Sequence, residues 1–120
     1  MGRATVRRGE VWWVDLAPSV GSEANKTRPA VVVSNDGANV RATRAGRGVL
    51  SVVPLTSNTS RVYPFQVLLD STATGLPRDS KAQAEQVRSI DVARFRTRAG
   101  MLRASDLAAL DDALRVHLSL

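Results

Sequence analysis

Residues 29–34 read PAVVVS, a short valine-rich run opened by a proline and followed by Asn35-Asp36-Gly37. A run this short, apolar and β-branched predicts a strand buried on both faces. The Asn-Asp-Gly triplet predicts a turn immediately after it. Arg28 precedes the proline, which biases it toward extended backbone at the mouth of that strand. Working outward, residues 10–16 (EVWWVDL) combine aromatic and β-branched side chains and predict a strand that stops at Ala17-Pro18. The polar, glycine-bearing residues 20–27 (VGSEANKT) between the two predict a loop. Downstream, residues 48–55 (GVLSVVPL) predict a third strand whose Pro54 suggests a sheet edge or a bulge. Residues 64–69 (PFQVLL) predict a fourth strand and 80–85 a polar fifth. The chain closes on an amphipathic helix, with Ser105 as N-cap, Asp106 in the first turn, and Leu107, Leu110, Leu114 and Leu118 at helical spacing. The arm of residues 1–9, with Arg3, Arg7 and Arg8, is expected to be flexible or to form an edge. Strands first and one helix last define the α+β class, a mostly antiparallel barrel or sheet with a packed helix.

Composition narrows the function. At 120 residues the chain is read as one domain, 1–120. A hydrophobic share of 43% and a charged share of 23% are globular values and argue against global disorder. The absence of cysteine excludes disulfide scaffolds, Cys-based zinc sites and thiol nucleophiles. A single histidine, His117, excludes a multi-histidine metal site within one chain, and no cofactor is expected. No apolar run reaches the ~18 residues of a membrane span. No basic-then-apolar leader follows Met1, so the expected location is the cytoplasm. Seventeen basic residues against eleven acidic ones give a net charge of +6. All the basic residues except Lys26 and Lys81 are arginines, whose planar fork matches phosphate and stacks on bases. That leans toward a nucleic-acid partner, although an arginine-rich codon bias accounts for it equally well.

Two places can carry chemistry. Arg28, fixed at a strand mouth, can point at an anion more firmly than an arginine on a mobile loop. Thr56 lies where the strand ending Pro54-Leu55 gives way to the polar run Ser57-Asn58-Thr59-Ser60, a position from which a hydroxyl can reach a phosphate oxygen. Read from spacing alone, Arg28 is more simply a strand-edge charge and Thr56 a turn former. His117, near the end of the last helix, reads as a packing or dipole partner rather than an acid–base residue. Strand alternation puts Trp12 with Val14 and Leu16 on one face and Trp13 with Val11 and Asp15 on the other. At least one tryptophan is therefore core, and the other is core, interface or exposed. The run Arg94-Phe95-Arg96-Thr97-Arg98 reads as a solvated strand or loop.

Taken together, RRGEVWWVDL, GSEANKTRPAVVVSND, VVPLTS and EQVRSID, followed by the amphipathic helix, resemble the MazF/PemK family of toxin endoribonucleases. The resemblance runs from about Arg8 to the terminal helix. It implies an SH3-like barrel with added helices, a homodimer, and metal-independent cleavage of single-stranded RNA at short specific sequences. The products implied are a 2′,3′-cyclic phosphate and a 5′-hydroxyl, and a cognate antitoxin is the implied partner. The family's catalytic arginine, in its "RP" motif, corresponds to Arg28, and its catalytic threonine, in "P-x-T", to Thr56. The loop before the arginine contacts RNA in relatives, which carries over to Ser22 and Glu23, with residues 20–27 as a gate. The "EQ-x-R" segment makes Glu85 and Gln86 RNA-binding candidates, and Ser57, beside Thr56, joins them. Such cleavage uses the RNA's own 2′-hydroxyl, so a chain without cysteine can perform it by alignment and charge stabilisation. Two alternatives remain open at this stage. The same fold serves CcdB-type toxins, which poison DNA gyrase by protein contact, and the arginines also suit a non-catalytic RNA-binding module.

Overall fold

The computed structural model describes residues 5–16 and 27–120. Among them seven strands and three helices follow one another. These are β1 (Glu10–Asp15), β2 (Thr27–Val32), α1 (Asp36–Ala45), β3 (Val49–Thr56), β4 (Gln66–Leu69), α2 (Ser71–Thr74), β5 (Ser80–Gln83), β6 (Arg88–Asp91), β7 (Phe95–Met101) and α3 (Ala104–Leu118). The sheet is antiparallel throughout, in the order β4-β5-β3-β2-β1-β7, with β6 also on β3. The expected α+β fold of antiparallel strands closed by a helix is present. In this order β4 and β7 have one strand neighbour each, so the hydrogen-bonded ring is not closed and the barrel is loose. No helix among the described residues is long and apolar enough to cross a membrane.

Alternation along β1, β2 and β3 builds two cores, one on each face. Val11, Val31, Val53 and Leu55 join Leu69, Leu102 and Leu110 under α3. Trp12, Val14, Ala30, Val32, Leu50 and Val52 form the other cluster with Val6 and with Ala42 of α1. Trp12 is thus core, its ring edge-on to Phe95 at 5.8 Å and its indole N–H donated to Glu10 Oε1 at 3.1 Å. Trp13 is only half-buried.

Several local expectations are corrected. Asn35-Asp36-Gly37 is not a turn but the start of α1: the Asn35 side chain accepts from the Ala38 N–H and caps the helix. Pro54 marks neither an edge nor a bulge. It sits inside β3, opposite Ala30, where the other edge of β3 changes partner from β6 (through Val52) to β5 (from Leu55). A proline without an N–H is tolerated at that change of partner. The last helix begins two residues earlier than Ser105 would set it, with Arg103 at the N-cap and its guanidinium on Asp106. Leu110 of its apolar stripe is buried, whereas Leu118 is exposed. The described part of the N-terminal arm is docked. Val6 is buried, the Arg8 N–H bonds Asp36, and the Arg8 guanidinium holds Val33 O and Asp111. The arginine run at 94–98 is, as expected, mostly a solvated strand, β7, although Arg96 pairs with Asp15 and Arg98 with Glu10.

Candidate active site

β2 and β3 pair as Ala30↔Pro54, Val31↔Val53 and Val32↔Val52. Carried two residues further, that register sets Arg28 opposite Thr56 at one end of the sheet. On its other side Arg28 is in register with Val14 of β1, so its backbone is held between neighbours while its side chain stays exposed. Next to it, Asp15 accepts from the Thr27 hydroxyl at 3.3 Å and from Arg96, tying the ends of β1, β2 and β7 together. The Arg96 guanidinium holds the Asp15 carboxyl below its ordinary range.

Two clefts open at this end, and Arg28, Leu55 and Thr56 line both. The first, about 310 Å³, is walled by Trp13, Pro29, Leu76, Pro77 and Arg78, with Ser57 and Ser80 as polar groups. The second, about 240 Å³, carries Leu16, Pro54, Gln83, Gln86 and Arg88. The described linings contain three arginines and no carboxylate. None of the three makes an ion pair among the described residues, whereas Arg8, Arg96, Arg98, Arg103 and Arg115 are all spent on carboxylates. A seam with positive charge and, among the described residues, no counter-charge is suited to a polyanion. Thr56 Oγ1 accepts the Asn58 N–H at 3.2 Å, which orients the hydroxyl and leaves its proton available to a ligand. Lys81, directly opposite Thr56 on β5, is not part of this surface. It is buried, and its ammonium donates to Arg61 O at 2.6 Å, closing the β3–β4 loop.

Of the residues singled out in the sequence, Arg28, Thr56, Ser57 and Gln86 line the clefts. Glu85 does not: it turns inward, where Oε2 accepts from Gln66 Nε2 at 2.7 Å and Oε1 is buried without a partner. Ser22 and Glu23, with most of the 20–27 loop, lie outside the described residues. His117 is exposed on α3 and lines neither cleft. Arg78, Arg88, Ser80 and Gln83 were not anticipated. Arg88 is the final residue of the EQ-x-R segment and carried a readable signal, whereas nothing near Arg78 distinguishes it from a turn charge. A further cavity of about 370 Å³, bounded by Val6, Trp12, Thr43, Val92, Phe95 and Arg96, contains none of these residues.

Sequence comparison turns this geometry into a class: the chain belongs to the family described as PemK-like, MazF-like toxins of type II toxin–antitoxin systems, which it matches over residues 7–118. It is 63% identical over 115 residues to "Endoribonuclease MazF9" of Mycobacterium tuberculosis, covering 96% of this chain and 98% of that one. To "Endoribonuclease EndoA" of Bacillus subtilis it is 34% identical over 116 residues, 96% of each chain. A solved MazE–MazF structure from Deinococcus radiodurans superposes with a TM-score of 0.77 at 26% identity, covering 98% of this chain and 99% of that one. Membership of this family decides against the gyrase-binding alternative.

Proposed function

We propose that this toxin is a sequence-specific endoribonuclease, acting as one domain over residues 1–120, that cuts single-stranded RNA without a metal and leaves 2′,3′-cyclic phosphate and 5′-hydroxyl ends. The observation that carries the reading is the opposition of Arg28 and Thr56 at the seam of two arginine-bearing clefts. In the reaction the RNA's 2′-oxygen bonds to phosphorus and the bond to the 5′-oxygen breaks; the 2′-hydroxyl loses its proton and the 5′-oxygen gains one. The non-bridging oxygens accumulate charge on the way, and charge-assisted donors from Arg28 with the Thr56 O–H meet it there. Arginine stays protonated at neutral pH, so Arg28 is assigned to stabilisation and positioning rather than to proton abstraction. Ser57 and Gln86 contact RNA from the two clefts, Ser22 and Glu23 from the preceding loop, and residues 20–27 act as a gate. Glu85, facing Gln66, is a positioning residue for that rim.

The surface supports two protein partners. A cognate antitoxin with an acidic disordered segment covers the three cleft arginines and blocks RNA in the cytoplasm. A second copy of the chain covers exposed apolar side chains, Leu68 on edge strand β4 and Val116, Leu118 and Leu120 at the C-terminal end of α3 and just past it. Digestion of long mixed-sequence RNA in EDTA, with mass spectrometry of the new ends, tests the proposal. Discrete cuts with cyclic-phosphate ends support it. Retarded mobility with intact RNA across several unrelated substrates would make the chain an RNA binder only.

A further inference from the structure

The geometry points to the cleft between Trp13 and the turn at Leu76, Pro77 and Arg78 as the subsite for one nucleobase next to the scissile phosphate, with the indole as stacking surface and Arg78 reading the base edge. This rests on the endoribonuclease reading above. At about 310 Å³ the cleft sits at the small end of ligand sites, room for one base and not several. Part of its wall is apolar, from Trp13, Pro29, Leu76 and Pro77, which suits the face of a base, while Arg28, Thr56 and Arg78 supply donors beside it. It shares Arg28 and Thr56 with the second cleft, so a base lodged here belongs to a nucleotide adjoining the cut.

Arg78 is presented by a fixed turn. Leu76 is buried and its N–H bonds Thr74 Oγ1 at 3.1 Å, while Asp79 accepts the Ser71 N–H at 2.9 Å. Gly75, at φ 77°, lies so close to β7 that a Cβ there would come within 2.1 Å of Ala99 O. Arg78 is exposed, lines the cleft and has no carboxylate within ion-pair reach among the described residues, so its donors are left for a ligand. A rigidly mounted arginine fork is the side chain that reads paired acceptors on a base edge, and a lysine cannot replace it there.

The test is cleavage of a randomised single-stranded RNA library by wild type, Arg78→Lys, Arg78→Gln and Trp13→Phe, with sequencing of the new ends and thermal unfolding as the fold control. The expected result is that both Arg78 variants lose preference at one position flanking the cut, by roughly 5- to 150-fold. The other positions keep theirs, and Trp13→Phe, whose smaller ring stacks over less of the base, loses part of the preference at that same position. A cleaved library whose profile is unchanged in both Arg78 variants overturns the subsite. So does a uniform slowing in Arg78→Gln that Arg78→Lys rescues, because Arg78 then holds a phosphate. A library left intact by wild type overturns the endoribonuclease reading and the subsite with it.

Discussion

Replacing Gly75 with alanine separates two costs that the structure places at one residue. Gly75 ends α2 at φ 77°, and a left-handed alanine costs about 1–2 kcal/mol. Its added Cβ would also lie 2.1 Å from Ala99 O and 2.9 Å from Ala99 C, backbone atoms that cannot rotate away. Forcing them apart adds roughly 1–3 kcal/mol, the usual range for overpacking. Gly46, which ends α1 at φ 68°, supplies the control, since nothing lies within 4 Å of its Cβ position and Gly46→Ala carries only the first cost. Urea unfolding of the two variants therefore differs by about 1–3 kcal/mol, a midpoint gap on the order of 1 M at ordinary slopes. Gly75→Ala is the weaker, and it also disturbs the turn that carries Arg78. Equal midpoints would refute the claim that α2 and β7 are in hard contact here.

Asn35→Ala removes the cap of α1, with an expected loss of about 1 kcal/mol in urea unfolding. Leu110→Ala empties a fully buried position between α3 and the sheet and is expected to cost about 2–5 kcal/mol. Acid weakens the fold in a stated direction. The Asp36 carboxyl is lowered by the Arg8 backbone N–H, Asp15 by Arg96 and Asp70 by the Thr72 hydroxyl, all from an ordinary 3.8. Groups depressed in the folded state stabilise it above the unfolded value and lose that contribution as pH falls through the folded one. Urea midpoints are thus flat above about pH 5 and drop below pH 4, and Asp36→Asn shallows that drop.

The strands at the core were legible because they are apolar, and the Arg28–Thr56 pair because each sits in a short recognisable motif. Helix α1 was not, and the reason lies in what it buries. Its sequence DGANVRATRA turns Asn39, Ala42 and Thr43 inward, so the usual apolar stripe is absent. Asn39 is satisfied there by Ser34 and by Asp36, and the Thr43 hydroxyl bonds back to Asn39 O while accepting the Val6 N–H. A polar face that is fully hydrogen-bonded packs as well as an apolar one but leaves no periodicity to read. β7 was masked differently, by arginines whose partners Glu10 and Asp15 lie far away in sequence on the neighbouring strand. Arg78 joins the site only because α2 and β7 fix its turn beside Trp13, a tertiary fact with no local signal.

The central claim is that Arg28 and Thr56 stabilise the transition state of RNA cleavage from a scaffold that does not depend on them. Single-turnover cleavage of one saturating single-stranded RNA, followed by wild type, Arg28→Ala and Thr56→Ala, measures it directly. Both side chains are at least partly exposed, so unfolding midpoints are expected to stay near wild type while the rate falls by about 10²–10³ in each variant. Undiminished cleavage by Arg28→Ala, with the protein folded, would contradict the account.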